Sequence, residues 1–316
     1  MIRKTFILIV VCMTAYGCAI TSHQKQAVLS FGKASENLGA IISKELPILR
    51  NDTINMNMVS LVLSGAVEPE NLDSGLDSED IAVRVAASDT LSNYGKLLVL
   101  LAQDDQSEKI KIASDELFSS VSRFNTTASQ FDFTQLGNKY TELTNKPFFV
   151  SKFSPQIFGS IDRSIQGLGG IFQKIMLFYY HYKKANYMKT VVRLYKDEVN
   201  KICYLLMNDF STKGNGFIRD YKNTIDILEN SISGLRFMKN FQKRKAAVKG
   251  YRLLMENRAR IENVAKNVET SLRELIDANN TLAQYMEDKK LSDLTNIKSL
   301  TIKIKDLAES IKIINN

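Results

Sequence analysis

Two histidines, three cysteines and a dense run of bases are the side chains of this chain whose types could do chemistry. A nucleophile that depends on an imidazole would have to rest on His23 or His181. His181 stands in Tyr179-Tyr180-His181-Tyr182-Lys183-Lys184, where an exposed or hydrogen-bonded structural role is expected, and His23 is expected to be exposed near the chain start. No grouping of His, Cys, Asp and Glu has the spacing of a metal site. Glu68, Glu70, Asp73, Asp77, Glu79 and Asp80 are close together but lack the register of an EF-hand loop, so they read as a solvated, cap-rich connection. Gly167-Leu168-Gly169-Gly170 has neither the preceding strand nor the following Lys-Ser/Thr of a phosphate loop; close helix packing or a kink suits it better. Cys203, in Lys201-Ile202-Cys203-Tyr204-Leu205-Leu206, reads as a small buried hydrophobe. The expectation is a non-enzyme with no catalytic residue, cofactor or metal.

The run of bases is the more informative constellation. Arg236, Lys239, Lys243, Arg244, Lys245, Lys249, Arg252, Arg258 and Arg260 are accompanied by a single acid, Glu256, and interleaved with Phe237, Phe241 and Tyr251. We take Arg236, Lys239, Lys243, Arg244, Lys245, Lys249 and Arg252 as a candidate face for an anion or a partner. In a cytosolic chain such a stretch would suggest nucleic acid. An exported chain rarely meets it, so lipid headgroups, lipopolysaccharide or an acidic partner are the anions in view. Two bland readings stand beside these: a solvated helical face, and pairing with residues 65–116, which carry twelve acids against four bases.

Export is argued from the first eighteen residues. Met1-Ile2-Arg3-Lys4 is a short basic start, Phe6-Ile-Leu-Ile-Val-Val-Cys-Met13 is uncharged and apolar, and Ala15-Tyr16-Gly17-Cys18 follows. A basic start, a short apolar core and small residues at a cleavage point describe a secretory leader. A membrane span needs about 20 apolar residues, and this core is well short of that. The segment resembles the lipobox of bacterial lipoproteins, in which a small residue precedes the cysteine, although Ala15 and Tyr16 depart from the usual Leu-led pattern. The resemblance covers only the leader. It implies that the Cys18 sulfur receives diacylglycerol, that the bond after Gly17 is cut, and that the new amine is acylated. Several acyl chains anchor stably where one does not. Ala19 follows the cysteine in place of the Asp that commonly retains such proteins at the inner membrane in enteric bacteria, so the resemblance implies the outer membrane before the inner one.

What must position these groups is helical. Four prolines among 316 residues, no tryptophan and abundant Lys, Leu, Ile, Asn and Ser favour helix. Without Arg3 and Lys4 the chain keeps an excess of six bases, and only Cys203 remains as a thiol, so the body folds without an internal disulfide. Apolar residues recur at three and four positions. Ala27, Phe31, Ala34, Leu38 and Ile41 start one stripe, which Pro47 should kink or break and Ile54, Met58, Leu61 and Val62 resume. Residues 65–80 read as loop, with Ser78 as the next N-cap. Ile81 to Leu101 and Ile110 to Ala128 give two more faces. Residues 131–156 are irregular and rich in phenylalanine, with a short helix near 134–144. A long helix from about 156 to 210 follows, then one from Phe217 to Leu235. The next carries Val248, Tyr251, Leu254, Ile261, Val264, Val268, Leu272, Leu275, Leu282 and Tyr285 on its core face, and Ser292 caps a last one.

The expected fold is all-α, an elongated bundle of long antiparallel helices. Residues 1–17 form the leader, 18–23 a lipidated tether, 24–145 an N-terminal helical region and 146–316 a C-terminal long-helix region packed with it. The function expected is a membrane-anchored envelope lipoprotein acting as a non-enzymatic helical scaffold or protein-binding module. The alternative is a membrane-active protein resembling helical pore-forming toxins by fold-level analogy, using the apolar segment 165–182.

Overall fold

Thr21 opens the first helix with a reciprocal cap. Its Oγ1 accepts from the Gln24 amide at 3.1 Å, and Gln24 Oε1 accepts from the Thr21 amide at 3.1 Å. Two donors that a helix start would leave orphaned are thereby satisfied. Helix α1 (Ser22–Ser64) then runs for 43 residues and closes on Gly65, whose φ of 77° is costly for any side chain but glycine's. Of the kink or break expected at Pro47, the break does not occur: one helix runs through it. Its ring lies on the exposed side, while Leu46 and Leu49 are buried against neighbouring helices and hold the backbone helical despite the missing N–H.

The computed structural model describes residues 21–65, 72–73, 76–103, 107–128, 171–211, 216–233, 240–288 and 290–314, with the backbone alone for 107, 125, 171–183, 185, 291–292 and 312–314. The expected leader, Cys18, the first half of the tether, Glu68 and Glu70, the crossover around the boundary at 145/146 with its short helix, the glycine segment 167–170, Leu235, Arg236 and Lys239 lie outside the described residues. So do the side chains of the apolar segment 165–182, including His181. Among the described residues six helices follow α1: α2 (Ser78–Ala102), α3 (Ser107–Ala128), α4 (Ile171–Phe210), α5 (Phe217–Ser233), α6 (Phe241–Asp288) and α7 (Leu291–Ile314). Among the described residues all regular structure is helical, so the chain is an all-α bundle. Two caps differ from expectation by a residue or two. Asp77 rather than Ser78 caps α2, accepting from the Asp80 amide at 2.7 Å, and Ser292 lies inside α7, which follows Lys290.

Cross-helix pairs set the directions. Gly32, Ser35 and Gly39 of α1 meet Gly95, Leu91 and Ser88 of α2 in reverse order. Arg84 pairs with Asp209, Tyr94 stacks near Tyr195 and Lys184 donates to the Gln103 carbonyl, so α2 and α4 are antiparallel. Lys243 reaches Leu63 and Arg260 reaches Glu45, so α1 and α6 are antiparallel as well. At about 1.5 Å per residue α1 spans about 64 Å and α6 about 72 Å. Helix α1 contacts α2, α5, α6 and α7, while α2 also packs on α3 and α4. Helix α2 is therefore apolar on more than one side: Val83, Ala87 and Leu97 are buried in addition to the expected Ile81, Leu91, Tyr94 and Leu98.

The α1–α2 contact is built from small residues. A Cβ placed on Gly95 would lie 2.4 Å from the Glu36 nitrogen and the Gly32 oxygen, and one on Gly39 would lie 2.5 Å from the Ser88 oxygen. Serines fill the same seam and bond across it: Ser35 Oγ donates to the Leu91 carbonyl at 2.9 Å, and Ser92 Oγ to the Glu36 carbonyl at 3.2 Å. Between α4 and α6 the contact includes amides. Asn279 Nδ2 donates to Asn200 Oδ1 and to the Lys196 carbonyl, both at 2.9 Å, and Asn200 Nδ2 donates to Asn280 Oδ1 at 3.0 Å.

Candidate functional site

The amino-terminal half of α6 carries the described part of the basic stretch. Asn240 starts it, its Oδ1 accepting from the amides of Gln242 and Lys243 at 2.9 and 3.2 Å, a side-chain cap of the ordinary kind. Gly250 fixes which side faces in. A Cβ there would touch Ile232, Val59 and Leu228 methyls at 3.0 to 3.3 Å, so α6 approaches α1 and α5 closely along the line through Gly250, Leu254 and Asn257, all buried. At about 100° per residue, the positions opposite that line are 241, 244, 245, 248, 249, 251, 252 and 255. They are exposed.

This geometry sorts the bases by what they touch. Lys243 is half-buried and donates to the Leu63 carbonyl at 3.0 Å, where a cation complements the last turn of α1. Arg260 lies inward between Glu45 at 2.9 Å and Asp52 at 2.7 Å. Arg258 pairs with Glu229 of α5 at 2.6 Å. Among the described residues these contacts run to α1 and α5. Arg244, Lys245 and Lys249 point to solvent, as does Arg252, which meets Glu256 one turn on at 2.7 Å in a pair too exposed to stabilise much.

The same face corrects part of the sequence reading. Val248 and Tyr251 do not line the core: they are 73% and 60% exposed, and Phe241 and Met255 are each 68% exposed. The reason is the glycine, since inward packing through position 250 turns 248 and 251 outward. Four bulky apolar side chains thus stand together with four bases on one side of one helix. Phe241, Val248 and Met255 are seven residues apart, and that spacing beside bases is the signal by which sequence alone would have found the ridge. Within residues 241–255 there is no acid. Concentrated apolar exposure of this kind marks contact surfaces more often than it does a solvated face.

The other candidate groups are placed differently. Cys203 is fully buried, and burial pushes its thiol well above the ordinary range, so it behaves as a hydrophobe. His23 is exposed. Asp73 pairs with Arg50 at 3.1 Å, Asp77 caps α2, and Asp80 pairs with Arg84 at 2.9 Å. Arg84 also meets Asp209 at 3.1 Å and lies 4.7 Å from the centre of the Phe217 ring, tying α2 to α4 and α5. Burial raises the Asp209 carboxyl, against the pull of Arg84. No three His, Cys, Asp or Glu residues among the described ones are grouped to hold a metal ion, and no described helix is long and apolar enough to cross a membrane. No family model, curated protein or solved structure matches the chain.

Proposed function

We propose that the chain is a lipid-anchored envelope lipoprotein that works, without catalysis, as a helical scaffold or protein-binding module. The observation that carries the reading is the outward face of α6: a concentrated apolar and basic surface held on a long helix whose other side is fixed to α1 and α5 by Gly250, Arg258 and Arg260. A surface of that kind binds, and its rigid backing presents it without a large ordering cost. The leader supplies the attachment: acylation at Cys18 would hold the body on the outer membrane, facing an envelope protein partner.

Labelled palmitate given to cells that express the wild type or Cys18→Ser, with gradient separation of the membranes, tests the anchor. Label on the wild type alone, in outer-membrane fractions, is the expected result, and an unlabelled wild type refutes it. In-cell crosslinking followed by affinity capture tests the partner; the absence of any reproducible partner would count against the scaffold role.

A further inference from the structure

The exposed face of α6 has the composition of a membrane-interface helix, which gives the binding surface proposed above a lipid side. At about 100° per residue, Phe241, Val248, Tyr251 and Met255 fall within an arc of about 80°. Lys245, Arg252 and Lys249 occupy the adjoining arc of similar width, and Arg244 lies within the ridge itself. An apolar stripe flanked by bases is how a helix lies in a lipid surface, with the apolar side chains in the acyl boundary and the cations at the phosphates. Tyrosine, an amphipathic ring, suits that boundary. Residues 241–255 hold five bases and no acid, so the surface complements a negatively charged one. The bond from Lys243 to Leu63 puts this face at the far end of α1 from Thr21, where Met58 and Val62 are also half exposed.

From this we infer that the first four turns of α6 are a second membrane contact, one that seats Phe241, Val248, Tyr251 and Met255 in an anionic bilayer surface while Arg244, Lys245, Lys249 and Arg252 hold its phosphates. The contact uses the flank of the helix, so the axis of α6 lies along the surface. The inference rests on the reading that the body is held at a membrane, and it adds where the body meets the lipid.

The chain from Ala19 onward keeps every described helix and carries no acylated cysteine, so its lipid binding is read independently of the anchor. The sequence has no tryptophan, which makes the indole introduced by Phe241→Trp a sole reporter. Vesicles of phosphatidylglycerol and phosphatidylethanolamine are expected to blue-shift the emission of that indole and to quench it when their acyl chains are brominated. Neutral phosphatidylcholine vesicles are expected to do neither. Lys245→Glu with Lys249→Glu should weaken co-sedimentation with the anionic vesicles by at least about thirtyfold. Val248→Ser with Met255→Ser should weaken it about tenfold to a hundredfold. Each variant changes exposed positions only, and an unchanged circular dichroism spectrum accompanies either result. Equal binding to neutral vesicles, unchanged binding of the charge variant, or an unshifted indole emission overturns the inference. So does a blue shift that grows with protein concentration without vesicles, which would assign the ridge to a second copy of the chain. Absence of palmitate label would leave these results standing, and failure here would leave the label standing.

Discussion

Gly95→Ala adds one methyl group at the place where α1 and α2 have no room for it. The new Cβ would lie 2.4 Å from the Glu36 nitrogen and the Gly32 oxygen and 2.9 Å from the Glu36 Cα, whereas ordinary contact begins near 3.4 Å. All three atoms are backbone, so no side chain can swing aside, and the helices must part by about 1 Å. A gap of that size forfeits a quarter to a half of each van der Waals contact across the seam. It also stretches the bonds from Ser35 and Ser92 to the facing carbonyls. Overpacking typically costs about 1 to 3 kcal/mol, and the weakened seam adds to that. Alanine's better helix propensity returns about 1 kcal/mol. The balance is a loss of about 2 to 3 kcal/mol, a fall in Tm of about 3 to 5 °C for a chain of this size. Gly250→Ala is the control. Its Cβ meets only the terminal carbons of Ile232, Val59 and Leu228 at 3.0 to 3.3 Å, which can rotate away, so its stability should stay within about 1 kcal/mol of wild type. Urea unfolding followed by circular dichroism measures both. A Gly95→Ala protein as stable as wild type, or less disturbed than Gly250→Ala, would refute the reasoning.

Two further outcomes follow from the buried charges. Arg260→Met leaves Glu45, 3% exposed, and Asp52 facing each other without their cation, and should cost about 3 to 5 kcal/mol in urea unfolding; a cost below about 1 kcal/mol would show that Arg260 does not clamp α6 to α1. Burial raises the carboxyls of Asp52, Asp80 and Asp209 above their ordinary 3.8, so just above that pH the folded chain binds protons there more readily than the unfolded chain does. The stability these groups contribute is present below the unfolded value and lost as pH rises through the raised ones. Melting at constant ionic strength should show a Tm that holds or rises from pH 7 to pH 5, and a steep fall over that interval contradicts the assignment.

Much of the fold was legible because helical periodicity survives in the sequence. The stripes from Ile110 to Phe124 and from Ile261 to Tyr285 fall where the core lies. The reading failed where tertiary contact overrides local pattern. Pro47 stays helical because its neighbours Leu46 and Leu49 are buried. Val248 and Tyr251 continue an apolar period, yet an inward glycine turns them out, and periodicity has no term for a residue that packs by having no side chain. The α1–α2 seam was missed for the same reason, although Gly32 and Gly39 stand seven residues apart. As for the candidate face, the bases were legible as a cluster, but which of them staple the bundle and which face solvent depends on Glu45, Asp52 and Glu229, distant in sequence. That sorting needed the fold.

The amides between α4 and α6 bear on a problem that long helices pose. Two apolar stripes forty residues long can be aligned in several ways, each displaced by one turn of about 5.4 Å, and burial alone separates those alignments weakly. Asn200, Asn279 and Asn280 meet one another in a single alignment. In any other, these amide groups lose one another as partners, at about 1 to 3 kcal/mol for each buried group left unsatisfied. Three asparagines thus act as a vernier mark that tells one long helix where along its neighbour to stop.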